Sequence, residues 1–188
     1  MPIKKLLLLF LVGSTLLFPR TTVGLNINTD DFEAEASYDI NAFSDYTNGT
    51  IFVLSGNFLS TNVDNLFGMG LSAHNSFQGM EGLSIGLGAR LVYLEDFMAI
   101  PLAVKASYAV MFADSMPAAS FSATLLYAPT VLSFDDAQNY FEFRAEVSME
   151  VISSVSIYGG YRDIETEYID EDFDTLNSNF YIGLKMGF

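Results

Sequence analysis

Apolar and polar residues alternate with a period of two over most of the chain beyond residue 50. One face of each alternating stretch carries large apolar side chains, and the opposite face is mostly Gly, Ser, Ala and Thr. This alternation predicts β-strands, and turn residues separate the stretches. The clear ones cover residues 51–58, 67–74, 83–93, 98–110, 119–127, 140–151, 155–162 and 179–188. A weaker stretch covers residues 32–40, and a short one covers residues 25–28.

The small polar face distinguishes between two kinds of β-protein. In a soluble sandwich or lipocalin-type barrel, the solvent-facing side of most strands carries charged residues. Small side chains on that face instead indicate the crowded interior of a narrow membrane barrel. The apolar faces then contact lipid, and aromatic residues near the segment ends are typical of interface anchors: Tyr93, Tyr108, Tyr127 and Tyr161.

The basic residues test this interpretation. Five follow residue 24, and all five lie on the small polar face. A membrane barrel must exclude them from its lipid face, where a basic side chain near the midplane costs about 2–4 kcal/mol. Three glutamates share their face and give them partners. We therefore predict that the lumen is lined by Arg90, Lys105, Glu142, Arg144, Glu146, Glu150, Arg162 and Lys185.

The predicted fold is an all-β, antiparallel, transmembrane up-and-down barrel. Bacterial barrels have an even number of strands. Ten strands result if residues 25–40 form a hairpin within the barrel, and eight if this region lies outside it. We predict ten, with eight as the alternative.

The N-terminal region has the pattern of a secretion signal. Lys4 and Lys5 precede an apolar run over residues 6–18, and small residues at Thr22 and Gly24 fit a cleavage site after Gly24. We therefore expect a signal peptide at 1–24 and a barrel domain at 25–188. The alternative is an uncleaved membrane helix, for which the run is short against the ~30 Å hydrocarbon core.

Composition and charge exclude several classes of protein. The chain is 51% hydrophobic, which is too apolar for disorder. It has 23 acidic and 8 basic residues, for a net charge of −15, and beyond residue 24 the balance is 23 acidic to 5 basic, or −18. Such an acidic chain is not expected to bind nucleic acid, because contact with phosphate groups needs a basic face. Without cysteine it has no disulfide, thiolate metal site or lipoprotein anchor.

No residue pattern predicts catalysis, a cofactor or a metal site. The acidic segment 165–174 lacks the glycine and glutamate of a calcium loop, because Thr175 and Tyr181 occupy those positions, so we expect a solvated outer loop. His74 is the only histidine, and Ser72 lies on the same face. Since the sequence places no third group to orient the imidazole, we interpret His74 as an interior polar residue and predict no enzyme.

The C-terminal residues resemble the assembly signal of bacterial outer-membrane barrels. That signal combines a polar residue, a glycine, an apolar residue and a terminal aromatic, which correspond here to Tyr181, Gly183, Met186 and Phe188. The resemblance implies recognition by the barrel-assembly machinery. The last strand must also pair with the first to remove the sheet edges.

The chain also resembles the YfaZ family of predicted outer-membrane proteins of Gram-negative bacteria. The similarity is densest at residues 127–129, 131–136, 139–142 and 158–164, the last with a Gly-Tyr-Arg core at 160–162. Gly159 departs from the pattern, where a bulkier residue is expected. The resemblance implies outer-membrane location and a porin-like role, but no substrate or catalytic residue.

These observations predict an integral outer-membrane protein in contact with lipid and lipopolysaccharide. The leading hypothesis is a small porin for passive diffusion, with lumen charges that select solutes by sign and size. The alternative is a closed structural barrel whose acidic loops contact a partner or lipopolysaccharide, and a lipid-modifying enzyme is a third class. Conductance that changes when Arg144 or Glu146 is altered would distinguish the porin.

Overall fold

The computed structural model describes residues 21–43, 49–95, 97–110, 119–169 and 174–188. These residues form strands, apart from turns and two short 3-10 helices at Ile40–Phe43 and Thr130–Leu132. The strands are β1 (Thr21–Ile27), β2 (Phe32–Asp39), β3 (Ile51–Ser60), β4 (Asn65–Ser76), β5 (Leu83–Leu94), β6 (Phe97–Ala99), β7 (Leu102–Val110), β8 (Ala119–Ala128), β9 (Ser133–Asp135), β10 (Ala137–Ile152), β11 (Val155–Tyr168) and β12 (Asp174–Gly187).

Ten of these strands close into an antiparallel barrel. The ring order is β1, β2, β3, β4, β5, β7, β8, β10, β11 and β12. β12 pairs with β1, with Leu184 opposite Leu25, so the ring has no free edge. β1 and β2 form the hairpin that the ten-strand prediction required. The predicted fold class and strand number are therefore confirmed.

The stretch predicted as one strand over residues 98–110 is divided in the structure. Pro101 separates β6 from β7, because proline has no backbone N–H to continue the ladder. β6 continues β7 along the same edge of β5 and in the same register, with Ala99 opposite Val92, but its other edge pairs with β9 and not with β8. β6 and β9 thus lie outside the ten-strand ring.

The outer surface of the barrel is a continuous apolar band. The predicted lipid-facing side chains of the ring strands are exposed, among them Phe52, Leu71, Leu87, Leu102, Val104, Leu125, Ile182 and Leu184. Tyr93, Tyr108 and Tyr127 are also exposed near strand ends, as interface anchors are. A closed barrel with such a band is an integral outer-membrane protein. No helix within the described residues is long and apolar enough to cross a membrane.

The two ends of the barrel differ. At one end, which we call the terminal mouth, the N–H of Phe188 donates to the carbonyl of Thr21. The opposite end, the far mouth, carries the turns at residues 28–31 and 61–64. The buried apolar residues cluster at the far mouth and form what we call the apolar plug: Leu59, Leu66, Val92, Leu94, Phe97, Ala99, Leu126, Ala128, Ala137, Tyr140, Ile164 and Leu176.

Two sequence predictions fall wholly or partly outside the described residues. Residues 1–20 of the predicted signal peptide and residues 170–173 of the acidic loop are not described. β1 begins at Thr21, so cleavage after Gly24 would shorten that strand to three residues. The signal peptide and its cleavage site stay predictions.

Candidate functional site

The lumen is built around Glu33, an inward residue of β2 that is completely buried. Arg144 donates to both carboxylate oxygens of Glu33, at 2.8 and 2.9 Å, and Arg162 donates at 2.6 Å. Asn26 and Asn57 add hydrogen bonds at 2.9 and 2.7 Å. A charge removed from water this completely is stable only when several partners surround it.

Glu142 on β10 is a second buried carboxylate in the same layer. Arg90 forms an ion pair with it at 3.1 Å, and the Nε of Arg144 forms another. The hydroxyl of Tyr140 donates to it at 2.6 Å. Arg144 therefore bridges Glu33 and Glu142, which joins β2, β5, β10 and β11 across the lumen. We call Glu33, Arg90, Glu142, Arg144 and Arg162 the ion-pair network.

Asp31 and Asn177 extend the ion-pair network towards the far mouth. Arg162 donates to Asn177 at 2.9 Å and lies 3.7 Å from Asp31, and Asn177 also hydrogen-bonds Asp31. These contacts connect the turn before β2 to β11 and β12. They leave the charge of Arg162 balanced although its side chain is completely buried.

A separate group of charges surrounds Lys185, nearer the terminal mouth. Its ammonium lies 3.2 Å from Glu35 and 3.4 Å from Glu146, and 4.0 Å from the ring centroid of Tyr158. The hydroxyls of Tyr158 and Tyr181 donate to Glu35 and Glu146 at 2.9 and 3.0 Å. Both carboxylates are thus held by Lys185 and a tyrosine.

The predicted lumen residues have different surroundings. Arg90, Arg144, Arg162 and Lys185 each form ion pairs with acidic residues across the barrel. Lys105 faces the lumen but, within the described ranges, lies at ion-pair distance from no carboxylate. Glu142 and Glu146 join these contacts, whereas Glu150 is exposed and, among the described residues, accepts a hydrogen bond only from the N–H of Ser154 in the β10–β11 turn.

Three important acids were absent from the predicted set: Asp31, Glu33 and Glu35. The signal for them was present in the weak stretch at 32–40, where Phe32, Ala34, Ala36 and Tyr38 alternate with acidic and polar residues. The parity argument used for the basic residues identifies Glu33 and Glu35 as inward. With them included, five acids face the five basic residues within the lumen.

Between the ion-pair network and the terminal mouth, the lumen contains open space. One cavity of about 510 Å³ is lined on β3, β4 and β5 by Ser55, Gly70, Ser72, Gly86 and Gly88. A Cβ atom at Gly86 would collide with the ring of His74, so this position must stay small for the imidazole to fit. An adjoining cavity of about 320 Å³ has a wall of hydroxyls: Ser84, Ser107, Ser120, Ser122 and Ser148.

The apolar plug closes the other side of the ion-pair network. Phe97 of β6 lies at its centre, with its ring centroid 6.1 Å from that of Tyr140 and 5.3 Å from that of Tyr168. Both Phe97 and Tyr140 are completely buried. The described residues therefore fill the lumen at the far mouth and leave it open at the terminal mouth.

His74 and Ser72 line the larger cavity. Nε2 of His74 and Oγ of Ser72 share a hydrogen bond of 2.8 Å. Among the described residues, no carboxylate or amide hydrogen-bonds to the imidazole, and no cluster of metal-ligating side chains occurs. Ser72 and His74 correspond to two of the three members of a nucleophile–base–orienter arrangement, and the orienting group is missing among the described residues.

The residues of the C-terminal signal divide between the two faces of β12. Tyr181 points inward to Glu146, and its ring packs edge-on to Tyr158 with centroids 6.1 Å apart. A Cβ atom at Gly183 would collide with the ring of Tyr158. Met186 and Phe188 are exposed on the outer surface.

Comparison with known proteins identifies the family. A family model described as YfaZ precursor matches residues 11–188, nearly the whole chain. The chain belongs to the YfaZ family. The resemblance inferred from the sequence is thereby confirmed, and the matched region includes every residue of the lumen. No curated protein matches the chain.

Solved structures of two porins are similar to the chain. The chain is similar to a KdgM porin in complex with disordered oligogalacturonate, at 9% identity and a TM-score of 0.47, over 90% of this chain and 99% of that one. It is also similar to the NanC porin, at 9% identity and a TM-score of 0.48, over 90% and 98% of the two chains.

Proposed function

We propose that this YfaZ-family barrel is a small-solute channel whose far mouth is closed in the structure described. The observation that supports the proposal is the open polar cavity behind the terminal mouth. Protein interiors are normally packed to the density of organic crystals, and a narrow barrel can be filled by its own side chains. Here glycine and serine line the wall where larger residues would fill the space.

In this proposal the terminal mouth faces the periplasm and the far mouth faces the outside. A solute entering from the periplasm passes the serine wall and stops at Arg90, Arg144 and their carboxylate partners. Passage requires Phe97 to leave the apolar plug. β6, which carries Phe97, is held by three residue pairs to β5 and three to β9, so it is the shortest unit whose displacement would clear the mouth.

Conductance across planar lipid bilayers tests the proposal. We expect the wild-type barrel to give rare conductance steps and a Phe97→Ala, Tyr140→Ala variant to give frequent ones, because the double substitution removes the two aromatic rings at the centre of the apolar plug. Heat-modifiable migration on a gel confirms that each barrel is folded. Folded wild-type and variant barrels that never conduct would overturn the channel proposal.

A closed structural barrel is the second candidate, and the filled far half favours it. The bidentate contact of Arg144 with Glu33 joins strands that are distant around the ring, as a structural brace would. This candidate predicts that barrels with a disrupted apolar plug lose stability without gaining conductance. The two candidates thus differ in the behaviour of one variant.

We also propose partners and processing that follow from outer-membrane location. The exposed Phe188 and Met186 on the last strand support recognition by the barrel-assembly machinery, and Phe188→Ala is expected to slow the appearance of folded barrel. Exposed polar turns at the far mouth support contact with lipopolysaccharide. N-terminal sequencing of the exported protein tests cleavage after Gly24, and a mature chain that keeps Thr21 would overturn it.

A further inference from the structure

The cavity of about 320 Å³ inside the terminal-mouth half lies between β5, β7, β8, β10 and β12. Its volume falls within the range of small-molecule sites, about 300–1,000 Å³. We propose that this cavity binds small hydroxylated carboxylates through the ammonium of Lys105 and the hydroxyls of the serine wall. The inference rests on the proposed function, since it names the solute class that the channel would admit.

Lys105 supplies the charge that such a solute needs. Its side chain lines both cavities, and its backbone lies in register with Gly86 on one side and Thr124 on the other. The other four lumen cations contact carboxylates directly, and among the described residues Lys105 does not. Its ammonium is therefore available to a carboxylate that enters the cavity.

The two acids that line the cavities beside Lys105, Glu146 and Glu35, already have partners of their own. Glu146 lines the cavity but already accepts from Lys185 and Tyr181. Glu35 accepts from Tyr158 and contacts Lys185. An entering carboxylate would thus meet Lys105 as its nearest partner, with a charge-assisted hydrogen bond that is about twice as strong as a neutral one.

The hydroxyl wall supplies contacts for a polyhydroxylated body. Ser84, Ser107 and Ser122 lie on three neighbouring strands and face one another in register. The described residues provide no side-chain hydrogen bond to these three hydroxyls, whereas Ser120 and Ser148 bond each other at 2.7 Å. Three adjacent hydroxyls that can donate and accept match the hydroxyl groups of a solute.

The overall negative charge of the chain makes Lys105 unusual among its surroundings. The formal net charge is −15, so the average field of the protein repels anions. Lys105, which contacts no acid among the described residues, is therefore a local exception to this repulsion. We therefore expect the cavity to bind a solute that carries a carboxylate more tightly than an otherwise similar solute without one.

Gluconate and sorbitol form a matched pair for the test, since both are six-carbon polyols and only gluconate carries a carboxylate. Calorimetric titration of the folded barrel in detergent is expected to show gluconate binding about tenfold more tightly than sorbitol or better. Lys105→Met and Lys105→Gln should each remove this preference. Ser107→Ala should weaken the binding of both polyols by a few fold.

Ser156→Ala is the matched control, because Ser156 is an inward serine that lines neither cavity. It should leave both affinities unchanged. Equal binding of the two polyols, no binding of gluconate, or a preference that survives both Lys105 variants in folded barrels would overturn the site. Bilayer conductance is read separately. Binding without conductance refutes the channel alone, and conductance without gluconate preference refutes the site alone.

Discussion

The two halves of the lumen differ in the size of their inward side chains, although the same apolar band surrounds both. On β5 the inward positions from the terminal mouth to the far mouth are small, then charged, then apolar: Ser84, Gly86, Gly88, Arg90, Val92 and Leu94. β8 changes in the same direction, from Ser120 and Ser122 through Thr124 to Leu126 and Ala128. β10 runs in the opposite direction, and its inward side chains change from the buried Tyr140 through Glu142, Arg144 and Glu146 to the small Ser148.

This difference shows that the alternation of apolar and polar residues determines the barrel fold. The size of the inward residues determines how much of the lumen is open. The outer band needs only apolar side chains at every second position. On the inner face, the size and charge of the side chains at each level determine whether the lumen is filled, is crossed by ion pairs or stays open. The ion-pair network lies at the boundary, where charged side chains are shielded from water on the plug side and reach open space on the other.

The largest expected loss of stability comes from disrupting the ion-pair network between the two halves of the lumen. Glu33→Ala would leave Arg144 and Arg162 buried without their shared carboxylate, and breaking a buried ion pair costs about 3–5 kcal/mol. Denaturant titration of the refolded barrel measures the free energy of unfolding. Glu150→Ala is the control, since Glu150 is an exposed acid and its loss should change stability by less than about 0.5 kcal/mol. Equal effects of the two variants would refute the central role of Glu33.

The next effect concerns the apolar plug. Phe97→Ala removes a completely buried ring and is expected to lower the free energy of unfolding by about 3 kcal/mol. Phe134→Ala, in the neighbouring strand β9, is the control because Phe134 is exposed. A Phe97 variant as stable as the Phe134 variant would show that the far mouth is not tightly packed.

Substitutions that enlarge inward side chains also distinguish the filled half of the lumen from the open half. Ala128→Leu in the apolar plug should destabilise the barrel by about 1–3 kcal/mol, because extra volume in a packed core forces strain. Ser107→Leu in the open half should change stability by less than about 1 kcal/mol, since the cavity accepts the side chain. The same denaturant titration compares them, and a larger penalty at Ser107 would mean that the open half is not open.

The smallest expected effect is at His74. Its one side-chain hydrogen bond, to Ser72, is partly exposed, so His74→Ala should change the free energy of unfolding by less than about 1 kcal/mol. We also expect phospholipid vesicles containing the wild type to show no esterase activity. An esterase activity that disappears in His74→Ala would instead support the enzyme class.

Much of the architecture was predictable from sequence, and the parts that were not have a common cause. Parity along each strand identified the outer face and the inward direction of all five basic residues. The weak alternation at residues 32–40 obscured β2 and therefore Glu33. Parity also gives no height or register between distant strands, so it could not pair Arg144 with a residue 111 positions away. Glu150 shares the inward parity of β10 but lies at the turn, where the lumen ends.

Alternation alone concealed the break between β6 and β7. Met98 and Ile100 continue the period of β7, which favoured one strand, but the strand is interrupted at Pro101, and beyond the break β6 pairs with β9 in place of β8. The proline was the available signal. The burial of Phe97 follows the alternation itself, because Phe97 shares the inward parity of Ala99 and Lys105.

Single cysteines test the contrast between the two halves most directly, because the chain contains no cysteine of its own. Ser122→Cys and Ala128→Cys place thiols on the inward face of the same strand, one beside the open cavity and one in the apolar plug. In folded barrels, a water-soluble maleimide is expected to label the thiol at position 122 rapidly and the thiol at position 128 only after denaturation. Equal labelling of the two positions in the native barrel would contradict a lumen closed at the far mouth.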